Sequence, residues 1–313
     1  MKKLLGLLVS VLFLNGCDDG KLTVDTINFD DVAANACGEI IYKLNNNEAL
    51  FVKIPTSENA FANQPTLPNA PTKIEIGGSV IMKYRFYNGK VSSDNICSLP
   101  APISPSATEE WSASAGTIEI TTTAVYSAAN ATTGALKISK YNHHIIIKNL
   151  VFAKPDGTNQ KYESFNFGDY LTDATTLPLN FDPILVAQCT ATPTIYNARN
   201  SGIESLVLEN ADADLIQNTG TVTKSISATT NKLVYRLYNT ALPNTLSDYF
   251  CGTTPASPTI KEEWIATDGT IEVVNTTAGG FVHTITLKKV TFKKDNSTFY
   301  YGDAVIYGVL LTN

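Results

Sequence analysis

Tyr84-Arg85-Phe86-Tyr87-Asn88 leads into Cys97, a proline-rich loop, Glu109-Glu110-Trp111 and Gly116-Thr117-Ile118-Glu119. The same succession returns as Tyr235-Arg236-Leu237-Tyr238-Asn239, Cys251, a second proline-rich loop, Glu262-Glu263-Trp264 and Gly269-Thr270-Ile271-Glu272. Matching residues keep an almost constant spacing, so the chain is an internal duplication. The duplication extends upstream. Ile27-Asn28-Phe29-Asp30 precedes Cys37 as Leu179-Asn180-Phe181-Asp182 precedes Cys189. The apparent linker is therefore the first element of the second copy, which puts one module at residues 22–173 and the other at 174–313.

Within each copy the pattern is that of β-strands. Ile40 to Leu44 and Ala49 to Ile54 flank the turn-forming cluster Asn45-Asn46-Asn47-Glu48, whose residues tolerate positive φ. Val80 to Tyr87 and its twin Lys232 to Tyr238 alternate apolar and polar side chains, as a half-buried strand does. The Glu-Glu-Trp stretch reads as a hairpin turning at Asp268-Gly269, with Trp264 opposite Val273 and Ala266 opposite Ile271 on one face. Trp111, Ile120, Ala113 and Ile118 match in the first copy, which makes both tryptophans core residues. In the strand from His283 to Phe292 the apolar parity slips at Lys288-Lys289, the mark of a β-bulge. Each module is expected to end its last strand at Phe167-Gly168-Asp169 or Tyr301-Gly302-Asp303. No window shows a helical period. The expectation is an all-β fold of two tandem β-sandwich modules, with roughly seven to nine strands each.

The N-terminus reads as an address. Lys2-Lys3 is a positive n-region and Leu4 to Leu14 an apolar stretch too short to cross a bilayer. It ends in Leu14-Asn15-Gly16-Cys17, which resembles the lipobox of bacterial lipoproteins. The resemblance implies that residues 1–16 are a signal peptide and that Cys17 carries acyl chains. Residues 17–21 are then a short tether. At ~0.8 kcal/mol per buried methylene, several acyl chains make a permanent membrane anchor. Asp18-Asp19 fits signals seen at either membrane; the outer membrane is the expected address. The formal net charge is −6, and −6 − 2 = −8 once Lys2 and Lys3 leave. With no basic run in the rest of the chain, nucleic acid is not an expected partner.

Four further cysteines, two per module at matching places, are expected to pair as Cys37–Cys97 and Cys189–Cys251, as suits an exported chain. A zinc site fails on spacing, since neither a Cys-x-x-Cys nor a histidine cluster accompanies them. His143, His144 and His283 lack the partners that metal binding needs, so neither metal nor cofactor is expected. A Gly-x-Ser-x-Gly elbow, a P-loop and a dinucleotide fingerprint are all absent. Gly-Asp at 168–169 and 302–303 reads as turn chemistry before calcium binding.

Two constellations remain. On the expected hairpin Glu110 and Glu119 share the outer face, as do Glu263 and Glu272. Such diagonal neighbours stand ~7–8 Å apart, within the ~6.5–9.5 Å of inverting glycosidases. On the preceding strand Tyr84 and Phe86 share one face, and Arg85 with Tyr87 the other. Arg85, Tyr87, Arg236 and Tyr238 are accordingly the candidate ligand-binding residues, unless they form a Tyr–Arg ladder over the strand surface. The functional expectation is a non-enzymatic envelope lipoprotein that binds or scaffolds a glycan or an envelope protein. A glycan-active hydrolase using the carboxylate pairs is the alternative.

Overall fold

The computed structural model describes residues 26–181, 185–252, 257–277 and 279–312. Cys17, its lipobox and the tether lie outside the described residues. The fold is all-β, in two similar antiparallel sheets of eight strands, each with one disulfide.

In module 1 the strands are β1 (Asn35–Cys37), β2 (Ile40–Asn45), β3 (Glu48–Lys53), β4 (Thr72–Glu75), β5 (Ile81–Tyr87), β6 (Ala107–Tyr126), β7 (Ile138–Ala153) and β8 (Asn159–Asp173). They pair in the order β1-β2-β3-β5-β6-β7-β8, with β4 set against the far half of β6. Module 2 repeats this with β9 (Ala187–Gln188), β10 (Ile195–Ala198), β11 (Glu204–Glu209), β12 (Gly220–Ser225), β13 (Lys232–Tyr238), β14 (Ile260–Thr276), β15 (Phe281–Lys294) and β16 (Ser297–Thr312). There β12 sits where β4 does, against β14. A short helix follows β5 and β13: α1 (Asp94–Cys97) and α2 (Leu246–Cys251). Each helix is a turn or two long and too brief to leave a period in the sequence.

The three last strands of each module are long, and in module 2 all three are bent at one level. The ladder between β14 and β15 shifts register around Asp268, next to Gly269 at φ +121°. On β15 Lys289 stands at φ +53°, and on β16 Gly302 at φ +139°. In module 1 Gly116 and Asn149 hold the same places with positive φ, whereas Gly168 faces Ile145, as Gly308 faces Ile285 in module 2. An aligned row of bulges lets one sheet curl over and cover its own apolar face. The two facing layers of each module therefore belong to one continuous sheet.

This corrects two expectations. The Glu-Glu-Trp stretch is no hairpin: β14 runs unbroken from Ile260 to Thr276, and Trp264 pairs with Tyr235 on β13. Nor do β8 and β16 stop at Gly-Asp; they continue to Asp173 and Thr312. The physical reason is common to both. A glycine at positive φ serves a turn or a bulge equally well, and both reset the inward parity. Trp264 and Ala266 face the core before the bulge, and Ile271 and Val273 after it. The expected bulge at Lys288-Lys289 is present, and the tryptophans are core residues at 2 % and 4 % exposure.

Cys37 on β1 is bonded to Cys97 on α1, and Cys189 to Cys251 on α2, with Cα–Cα distances of 5.9 and 5.3 Å. Both staples tie the N-terminal edge of a sheet to the helix that follows its central strand.

Candidate functional site

The candidate site lies between the modules, on neither module's own face. A loop after β6 reaches across to the bulge of β16. Leu136 N donates to Tyr300 O at 2.9 Å, and Asp303 N to Thr133 O at 2.7 Å. Gly302 permits this approach, because a Cβ there would meet Thr133 O at 2.9 Å. Farther along the seam Tyr126 Oη donates to Thr298 O, and Tyr141 Oη shares a buried 2.9 Å hydrogen bond with Ser297 Oγ. The connecting segment is held too. The Glu204 carboxylate accepts from Leu179 N and Asn180 N, each at 2.8 Å, and from Tyr235 Oη at 2.9 Å.

These contacts frame a cavity of about 360 Å³. Its buried floor is aromatic: Trp264 from β14, Phe299 from β16 and Tyr141 from β7. Its rim is polar and exposed, with Asn63, Ser127, Lys137, Ser139 and Thr176. Glu262 and Lys294 complete the wall. The Trp264 indole N–H donates to Glu262 Oε2 at 2.9 Å, Lys294 Nζ lies 3.3 Å from Glu262 Oε1, and the same ammonium stands 5.7 Å from the indole centroid. Burial pushes the Tyr141 phenol above its ordinary pKa, only partly offset by Ser297, so it is a neutral hydroxyl at neutral pH. Module 1 repeats the motif around a smaller recess of about 260 Å³, where Trp111 donates to Glu109 and Lys154 lies 4.0 Å over the ring.

The Arg–Tyr candidates sit elsewhere. Arg85 Nε bonds Glu110 at 2.5 Å and its guanidinium lies over Phe51. Arg236 bridges Glu209 and Glu263, each at 2.7 Å. Tyr87 and Tyr238 are buried, at 4 % and 3 % exposure. Tyr87 packs with Ala49, Val91 and Ile96 of α1. Tyr238 packs on Tyr249 of α2 and bonds Ser205 Oγ at 2.8 Å. The expected exposed pair is thus not formed, because each helix covers the outer face just where the tyrosine emerges. Ion pairs over the strand surface take its place.

The carboxylate pairs are not brought together either. With no hairpin, Glu110 and Glu119 lie on opposite arms of one bent strand, roughly 20–30 Å apart at ~3.3 Å per residue. Glu263 and Glu272 are placed likewise on β14. Each carboxylate has its own cation: Lys83 and Arg85 for Glu110, Lys73 for Glu119, Arg236 for Glu263, Lys288 for Glu272. Burial pushes the Glu110 carboxyl up, but hydrogen bonds from Lys83 and Arg85 outweigh it and hold the pKa below the ordinary value. That is the wrong direction for a general acid.

The histidines are structural. His143 is buried between Thr122 Oγ1 and Thr172 Oγ1, both at 2.9 Å, and His283 between Asn275 and Thr312. His144 bonds Asp169, and Asp303 accepts from Tyr300, so both Gly-Asp carboxylates have protein partners. Among the described residues, no three His, Cys, Asp or Glu side chains group as a metal site. Burial lowers the His143 pKa to about 4. Between that value and the unfolded ~6.5 only the unfolded chain takes up the proton, so stability falls as pH falls. Module 1 is expected to lose about 2–3 kcal/mol between pH 6.5 and 4.5. His143→Gln should flatten that slope in denaturant titrations at both pH values.

Comparison with known proteins brings no match: no family, no curated protein and no solved structure is similar to this chain. The seam cavity had no local signal in the sequence, because its walls come from both modules and their connection. The one legible hint was the repeated Glu-x-Trp, whose i, i+2 spacing puts carboxylate and indole on one side of a strand.

Proposed function

We propose that this chain is a non-enzymatic lipoprotein of the bacterial envelope, tethered through Cys17, that binds a glycan in the seam cavity. The cavity carries the reading. An aromatic floor with a hydroxyl- and amine-bearing rim matches a sugar, which offers C–H faces to rings and hydroxyls to polar groups. Its volume falls at the small end of the ~300–1,000 Å³ range of ligand pockets, suited to a monosaccharide or disaccharide unit. One disulfide in each module accords with an oxidising compartment. The hydrolase alternative has less support, since its carboxylates are apart and each is ion-paired with a neighbouring cation.

Two measurements on the full-length protein in detergent test the reading. On a glycan array, binding to a subset of glycans is expected. Thr176→Trp, at the exposed rim, should weaken it at least about tenfold, while Glu110→Gln with Glu263→Gln leaves it unchanged. A blank array, or binding indifferent to Thr176→Trp, overturns the glycan site. In membrane fractionation Cys17→Ala should move the chain to the soluble fraction; unchanged partition overturns the tether.

A further inference from the structure

The charges around the seam cavity are unequal. Glu262 is already engaged: one oxygen accepts from Trp264 and the other pairs with Lys294 at 3.3 Å. Lys137, on the rim, touches only neutral acceptors, the carbonyl oxygens of Leu177 at 3.5 Å and Pro178 at 3.4 Å. Among the described residues no carboxylate pairs with it. The cavity thus holds two ammonium groups against one carboxylate. This local excess sits on a chain of formal net charge −6, so it is not part of a basic surface. Beyond the ~8 Å Debye length at physiological ionic strength, the acidic remainder of the protein is largely screened from a ligand at that rim.

A ligand seated on the aromatic floor would meet hydroxyls from Ser127, Ser139 and Thr176 and one uncompensated cation at the edge. We propose that the cavity selects a sugar ring bearing a single anionic group, with Lys137 as the specificity-determining residue. This rests on the glycan-binding reading above. An ammonium is a point charge without the bidentate geometry of a guanidinium, so the shared chemistry is one anionic group, a carboxylate or a phosphate.

The test is calorimetric titration of the full-length protein in non-ionic detergent with glucuronate, glucose 6-phosphate and glucose. Lys137→Met and Lys137→Arg are run beside it; the residue is exposed, so both variants should fold. At least one anionic sugar is expected to bind about tenfold more tightly than glucose. The preference should fade at high salt, vanish in Lys137→Met and persist in Lys137→Arg. Whether glucuronate or the phosphate binds better identifies the source of the charge. Equal binding of glucose and both anionic sugars, or a preference that survives Lys137→Met, overturns the selectivity and leaves the glycan site standing. If none of the three sugars binds, the inference falls as well. A glycan array that still shows Thr176→Trp-sensitive binding then keeps the underlying reading, and a blank array removes both.

Discussion

The double substitution Cys37→Ser, Cys97→Ser is expected to destabilise module 1 by about 4 kcal/mol. The bond closes a loop with a sequence separation of 60 residues, and a loop of that length leaves the unfolded chain much freer once opened. The native state adds to the effect. Cys37 lies on a three-residue edge strand that pairs only with β2, and Cys97 on a four-residue helix outside the sheet. Neither element has enough contacts of its own to stay in place once the staple is gone. The loss of α1 would also uncover Tyr87, which packs against Ile96. Denaturant unfolding of the full chain should show module 1 melting early while module 2, with Cys189–Cys251 intact, keeps its midpoint. An unchanged midpoint for both modules would show that the staple closes a loop already ordered in the unfolded state.

Gly269→Ala is expected to cost module 2 about 3–5 kcal/mol, from two separable causes. At φ +121° an alanine backbone is strained by about 1–3 kcal/mol. A Cβ there would also stand 2.8 Å from Val290 Cγ2, 2.9 Å from Val290 Cα and 3.0 Å from Lys288 O. Two of those three atoms are backbone, so the neighbouring bulge itself must move. Overpacking of this kind adds about 1–3 kcal/mol. Gly220→Ala separates the causes: its φ is +99° and nothing lies within 4 Å of the added carbon, so only the strain, about 1 kcal/mol, should appear. Equal midpoints for the two variants would mean that the bulges do not interlock as described.

Those bulges also explain what the sequence could and could not reveal. The duplication, the all-β class and the cysteine pairs were legible because each rests on residues compared with their own copies. The slip at Lys288-Lys289 was legible because two lysines displace a run of apolar residues by one place. Asp268-Gly269 was misread because strand parity is the same after a hairpin turn as after a bulge. Only the partner strand distinguishes them, and Trp264 pairing with Tyr235 is a tertiary fact. Tyr87 and Tyr238 alternate like exposed residues, and nothing in β5 or β13 announces that a short helix will cover them. The seam is the extreme case. Lys137, Tyr141, Thr176, Trp264 and Phe299 meet where the modules dock, through the loop around Thr133 at Gly302 and through Tyr141 at Ser297. Two distant residues of ordinary type carry no sign of that meeting.

We propose that the seam cavity holds a glycan and does not cleave it. Proton NMR of an array-selected glycan mixed with the full-length protein in detergent tests both halves in one sample. Broadened glycan resonances that sharpen with Thr176→Trp are expected, with a spectrum otherwise unchanged over days. New reducing-end signals that disappear with Glu110→Gln and Glu263→Gln would contradict it, as would resonances that never broaden.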